Sequence, residues 1–230
     1  MNFAGFSRET LQFFGSLGQN NNRQWFEAHR HIYDRHVLPE AQDFVVVMGE
    51  RLRKISSDIN ADPRVDKSIF RLHRDTRFSK DKSPYKTHLG LVFWEGPFKK
   101  LEAPLFYFHL EGEKLFLAAG MHIFPKEFIP VYREAVVDQK KGAELDKVLE
   151  AVTGKDAYLP GWEKYKTVPR GFDAAHPRSE LLKYGGIGFS IEMPPVDELF
   201  DDRAADFVFR HFENMAPIYL WLKKLIREKY

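Results

Sequence analysis

The chain is expected to adopt an α+β fold: an antiparallel β-sheet of about five strands, with N-terminal, central and C-terminal helices packed mainly on one face. Three observations lead there. Segments of strand composition cluster in the middle of the chain, and neighbours with no helix between them must pair antiparallel. Two of them, "PLFYFHLE" (104–111) and "KLFLAAGMH" (114–122), are separated only by Gly112-Glu113, a two-residue hairpin signal with Gly at the first turn position. Helical periodicity and caps occupy the flanking regions.

Taken in order, Ser7 caps a short helix through Leu17, and the Asn20-Asn21-Asn22 run caps a second helix starting near Arg23. That helix is expected to run to about Val37, bend at Pro39 and resume to about Ile55. "IFRLH" (69–73), "HLGLVFWE" (88–95), the hairpin pair and "GIGFSIEM" (186–193) read as strands. Helices are expected near Pro125–Asp138, Ala143–Thr153 and Pro177–Tyr184, the last stopped by Gly185-Gly186. A C-terminal helix from about Asp201 to Glu228 is expected to be interrupted near Pro217. No repeat or Gly/Ser linker divides the chain, so residues 1–230 read as a single domain.

Composition excludes several chemistries. With no cysteine among 230 residues there is no disulfide, no thiolate nucleophile and no Cys-ligated zinc. The N-terminus lacks a signal-peptide pattern and no apolar run approaches a membrane span, so a soluble, cytoplasmic protein with no membrane association is expected. The formal net charge is +2, yet residues 64–100 carry ten Lys/Arg against four Asp/Glu, a local +6. The near-neutral whole counts against a nucleic-acid partner, as does the lack of an aromatic-basic stripe on any strand.

The centre of the positive region is "RDTRFSKDKSPYKTH" (74–88). Fourteen residues join the strand ending at His73 to the one beginning at His88, a length typical of functional loops. Arg74 and Arg77 offer planar forks for phosphate or carboxylate, while Lys80, Lys82 and Lys86 add point charges. Tyr85 with Pro84 and Phe78 anchors the loop. Asp75 and Asp81 either orient the arginines or simply pair with them in a structural ion network, the competing reading.

Strand alternation extends the argument. If Glu111 faces Lys114, one face of the hairpin holds Phe106, Phe108, Leu110, Leu115 and Leu117, and the other holds Tyr107, His109, Phe116 and His122. Carried to neighbouring strands, the second face collects small residues (Gly90, Ala118, Gly120, Gly188, Ser190) bordered by His88, His109, His122 and Glu192. That face reads either as the floor of a ligand cleft or as a surface on which a helix sits. Arg170, in the "PRGFDAAHP" turn (169–177), is a further anion-binding candidate.

The candidate ligand-binding residues are therefore Arg74, Arg77, Lys80, Lys82, Tyr85, Lys86, His122 and Arg170, with His88 or Asp75 as acid or base if chemistry follows binding. A small anionic, phosphorylated ligand is the expected partner; an interaction or scaffold domain is the alternative, and a nucleic-acid-associated protein the third reading. No cofactor is expected, and no metal: His29, His31 and His36 on one helix diverge too far to share an ion.

Three strings carry a family resemblance: "FAGFSRETLQFFGSLGQNNNRQWFEAHRHIYDRHVLP", "HRDTRFSKDKSPYKTH" and "PRGFDAAHPRSELLK". Together they resemble the domain of unknown function 2461 family over nearly the whole chain. The resemblance implies a single α+β domain and a cytoplasmic location; it brings no activity, cofactor or partner.

Overall fold

A computed structural model describes residues 3–153, 158–161 and 165–229. Ser7 accepts a hydrogen bond from Thr10 N–H (3.1 Å) and starts α1 (Arg8–Gln19). The three asparagines then divide the work. Asn20 closes α1 through its amide on Ser16 O, and Asn22 caps α2 (Arg23–Ile32) by accepting from Trp25 N–H at 2.9 Å. Asn21 reaches 64 residues along the chain, bonding both Tyr85 O (2.8 Å) and Tyr85 N–H (3.1 Å).

The expected bend at Pro39 takes a different form. A π-helical turn (Tyr33–Val37) follows α2, and Leu38 N–H reaches back to Tyr33 O. The helix continues without a break into α3 (Leu38–Leu52), and Pro39 falls directly after the widened π turn, which accommodates a residue that has no N–H to donate.

Six strands form one sheet in the order β1-β2-β3-β4-β6-β5: β1 (Ile59–Asn60), β2 (His88–Glu95), β3 (Leu105–Glu111), β4 (Lys114–Met121), β5 (Leu159–Gly161) and β6 (Ile187–Met193). The antiparallel α+β class is as the sequence predicts. The short edge strand β5 is not foreseen; it pairs antiparallel with β6, Leu159 opposite Ser190 and Gly161 opposite Gly188. "IFRLH" (69–73) is no continuous strand. Isolated bridges, Ile69 to Leu91 and His73 to Tyr85, and single backbone bonds such as Phe70 N–H to Gly90 O (3.0 Å) and Lys86 N–H to Leu72 O (2.8 Å) tie it to the chain ahead.

α4 (Phe128–Val137) and α5 (Gln139–Thr153) match the central block. The helix expected at Pro177–Tyr184 is instead a run of turns with a single 3₁₀ turn at Leu181–Lys183. A stretch this short gains too few bonds to offset helix nucleation. Arg178 is held through its side chain on Asp146 (2.7 Å) and Val136 O (3.3 Å). α6 (Ala204–Lys229) runs without interruption through Pro217. Around that proline Met215, Ile218, Tyr219 and Leu222 are fully buried, and their packing offsets the lost backbone bond.

The contacts divide the chain into two compact units: Met1–Phe93, Tyr107–Leu117 and Glu192–Arg210 in the first, Trp94–Phe106, Ala118–Ile191 and His211–Tyr230 in the second. The first is cored by Phe6, Phe44 and Phe108, whose ring centroids lie 5.0–5.3 Å apart. In the second, Phe106 stacks on Tyr219 at 4.5 Å and meets Phe212 at 5.2 Å. Phe106, Phe108, Leu110, Leu115 and Leu117 are all fully buried, as the hairpin alternation requires.

Candidate functional site

The charged loop is ordered by bonds from both its ends. Arg74 N–H donates to Pro84 O (2.9 Å) and Lys86 N–H to Leu72 O (2.8 Å), while buried Tyr85 packs on Phe26 and His73. Tyr85 thus serves as the anchor that Asn21 grips from the α1–α2 junction.

Its aspartates are engaged. Arg77 forms a two-point pair with Asp75 (Nε–Oδ1 3.0 Å, Nη2–Oδ2 2.7 Å) and its own N–H also reaches Asp75 Oδ1. The same clasp recurs at Asp62–Arg64 and Asp201–Arg203, so it is a local property of the Asp-x-Arg tripeptide. Arg77 is 76% exposed and is not among the residues lining either of the two cavities described below. Beside it Phe78 is 94% exposed. Lys80 is exposed, and Lys82 donates to Thr76 O at 2.8 Å.

Asp81 has a different task. It accepts from Ser83 Oγ (2.6 Å) and Ser83 N–H (2.9 Å) and pairs with Arg74 Nη1, and these bonds hold its carboxyl well below the usual range. Asp75 is lowered too, chiefly by the Arg77 side chain. A depressed folded value favours this loop shape above the ordinary carboxylate range and withdraws that support as pH falls through the depressed value. Amide NMR shifts of Arg77 and Ser83 should therefore hold constant from about pH 7 to about pH 5 and move only below about pH 4. Movement near neutral pH would contradict these pairings.

Arg74, Lys86 and His88 line a cavity of about 370 Å³ with polar Asn21, Ser83 and Thr87. Asp81 also borders it. Both bonds of Arg74 leave from Nη1, to Asp81 and to Ser83 O (3.2 Å). Asp81 therefore steadies the guanidinium while Nε and Nη2 have no protein partner among the described residues. A second hollow of about 260 Å³ lies beside the stacked Trp25 and His29 rings; it holds the Glu9 carboxylate and no group of cations. His122 and Arg170, both exposed, belong to the second unit and do not appear among the residues lining the cavity.

Along β3 the alternation puts Tyr107, His109 and Glu111 in one row, and His88 stacks on His109 with centroids 4.0 Å apart and planes 19° apart. The Tyr107 hydroxyl shares a 3.3 Å hydrogen bond with His109 Nδ1. On the other side of the ring His109 Nε2 stands 3.6 Å from Glu111 Oε2, beyond hydrogen-bond reach, and is buried without a partner. Lys114 holds the other carboxylate oxygen, Oε1, at 2.8 Å and lies 3.9 Å from Glu192.

Burial, then the neighbouring His109 and Lys86, pushes His88 down to about 3. His109 is lowered as well, burial outweighing the pull of Glu111. Both imidazoles are neutral at pH 7. Burial lifts Tyr107 to about 12. For Glu111, burial alone would raise the carboxyl, but the Lys114 bond and His109 together hold it below its ordinary value.

The glycines do not floor an open cleft. A Cβ on Gly90 would lie 3.1 Å from Tyr107 Oη and 3.2 Å from Phe70 Cδ2, so those side chains cover the space above it. In the second unit Gly120 has φ +142°, and a Cβ there would meet Ile187 O at 2.4 Å. Its smallness allows β4 and β6 to approach, and no ligand is needed to explain it. The pocket lies at the loop rather than over the sheet.

A family model described as "Conserved hypothetical protein (DUF2461)" matches residues 9–221 of the 230. The chain belongs to this family. Its match spans α1 to the middle of α6, and so includes the Asn21–Tyr85 tie, the 74–88 loop and the His88–His109–Glu111 row. No curated protein matches the chain. Among the described residues no helix is long and apolar enough to cross a membrane.

Proposed function

We propose that this DUF2461 protein binds a small anionic, phosphorylated ligand in the cavity between the 74–88 loop and the α1–α2 junction. The observation carrying this reading is the state of Arg74: braced by Asp81 through one nitrogen, with the rest of its planar fork uncommitted at a cavity shared with Lys86 and His88. Lys86 supplies a second positive charge. Neutral His88, Asn21 and Thr87 supply polar contacts that fix orientation.

A scaffold role is favoured by a specific observation as well: Asp75 engages Arg77 in a clasp that also occurs at Asp62–Arg64 and Asp201–Arg203. The two readings part at Arg74 and Lys86. Inorganic phosphate and a panel of phosphorylated metabolites should raise the melting temperature of the wild type. Arg74→Ala and Lys86→Ala should remove that rise while each apo variant melts within a few degrees of wild type. Arg77→Ala should leave it intact. Equal responses in all four proteins, or none in the wild type, would decide for the scaffold.

A further inference from the structure

We infer that His88, His109 and Glu111 form a binding site for one divalent transition-metal cation of the zinc class. Each residue offers one ligand atom, and the three atoms lie within 4.8 Å of one another. Two imidazoles and a carboxylate are a donor set that suits zinc and its neighbours in the first transition row. This inference goes beyond anion binding and does not rest on it.

The second, independent observation is the orphaned His109 Nε2. A buried ring nitrogen without a partner is costly, and native structures rarely leave one unexplained. Its distance to Glu111 Oε2, 3.6 Å, is too long for a hydrogen bond. It is close to the roughly 3.4 Å that separates two ligands about 2.1 Å from a tetrahedral zinc. An ion between them would satisfy both atoms.

The surroundings hold two of the donors, His109 and Glu111, in place. Tyr107 bonds the far nitrogen of His109, so in the loaded state Nδ1–H donates to the phenol and Nε2 presents its lone pair. Lys114 grips Oε1 of Glu111 and leaves Oε2 toward His109. Glu111 and Glu192 against Lys114 give the cluster one net negative charge before a cation enters; Lys86, near His88, works against this. His88 lies stacked on His109 with planes 19° apart, so its ring must turn out of the stack for both lone pairs to meet one ion. Three protein ligands leave a fourth position, and since His88 also lines the cavity, that position would be available to a water or to an oxygen of a bound anion.

The test is calorimetric titration of the metal-free wild type with Zn²⁺ at neutral pH, repeated with Co²⁺ to read the visible absorption of a tetrahedral site. One ion per chain is expected. His109→Ala and the near-isosteric Glu111→Gln should each weaken binding at least tenfold, with near-UV circular dichroism confirming the fold. His31→Ala, on exposed α2, should bind as wild type. X-ray absorption of the zinc-loaded wild type should show two imidazole ligands, a readout independent of any variant. Absence of stoichiometric binding, equal affinity in Glu111→Gln, or a zinc shell without histidine overturns the assignment.

Discussion

Removing both cations from the buried carboxylate of Glu95 is expected to be the most damaging polar change in the protein. Glu95 ends β2 in the second unit with its side chain fully buried. Tyr219 donates to Oε2 at 2.5 Å, Arg227 reaches Oε1 at 2.5 Å, and Lys223 stands 3.4 Å from the same oxygen. A carboxylate taken out of water is tolerated only while such partners persist. The double variant Lys223→Met, Arg227→Met strands the charge and should cost about 3–5 kcal/mol in denaturant unfolding. Adding Glu95→Leu removes the stranded charge, and the triple variant should recover more than half of the loss. A triple variant less stable than the double would show that the carboxylate contributes through packing instead.

The second large effect falls on the first unit. Phe108 is fully buried and shares its surroundings with Phe6, stacked at 5.3 Å, and Phe44 at 5.0 Å. Truncation to alanine deletes the transfer free energy of a ring, leaves a cavity and loses two aromatic contacts. Phe108→Ala should cost about 3–5 kcal/mol. Its neighbour on the opposite face, His109, is only partly buried, so His109→Ala should cost well under half as much by the same measurement. Similar losses at 108 and 109 would mean that the two faces of β3 are equally structural.

The same hairpin shows what was legible in the sequence. Gly112-Glu113 fixed the register, and parity then assigned Phe106, Phe108, Leu110, Leu115 and Leu117 to the core without reference to any coordinate. Parity also placed Tyr107 and His109 on the other face, and Glu111 follows by the same step of two. What parity does not supply is the alignment of β2 on β3. Nine residues join Glu95 to Leu105, and no turn rule for that length specifies which residue His88 meets. Parity puts His88 and His109 on one face, but their stacking and the approach of Glu111 emerge only in three dimensions.

The charged loop divides the same way. Its order, length and anchoring by Tyr85 follow from composition, whereas the pairing of its charges does not. A signal was nevertheless available: Asp62-x-Arg64, Asp75-x-Arg77 and Asp201-x-Arg203 repeat one local pattern, and an aspartate two residues before an arginine can bond both its backbone and its guanidinium. That pattern accounts for the partner of Arg77, whereas Arg74 pairs with Asp81, seven residues away. Pro217 illustrates the converse. Local propensity favours a break, and the burial of Met215, Ile218 and Leu222 overrides it.

The claim that the loop holds an anion is tested most directly by a crystal structure of the protein soaked with tungstate, a heavy and easily located phosphate mimic. The expected result is one ion in the cavity within hydrogen-bond distance of Arg74 and Lys86, with Asp81 still bracing the guanidinium from its other side. A cavity without an ion at saturating tungstate, with Arg74 and Lys86 making only protein contacts, would contradict it.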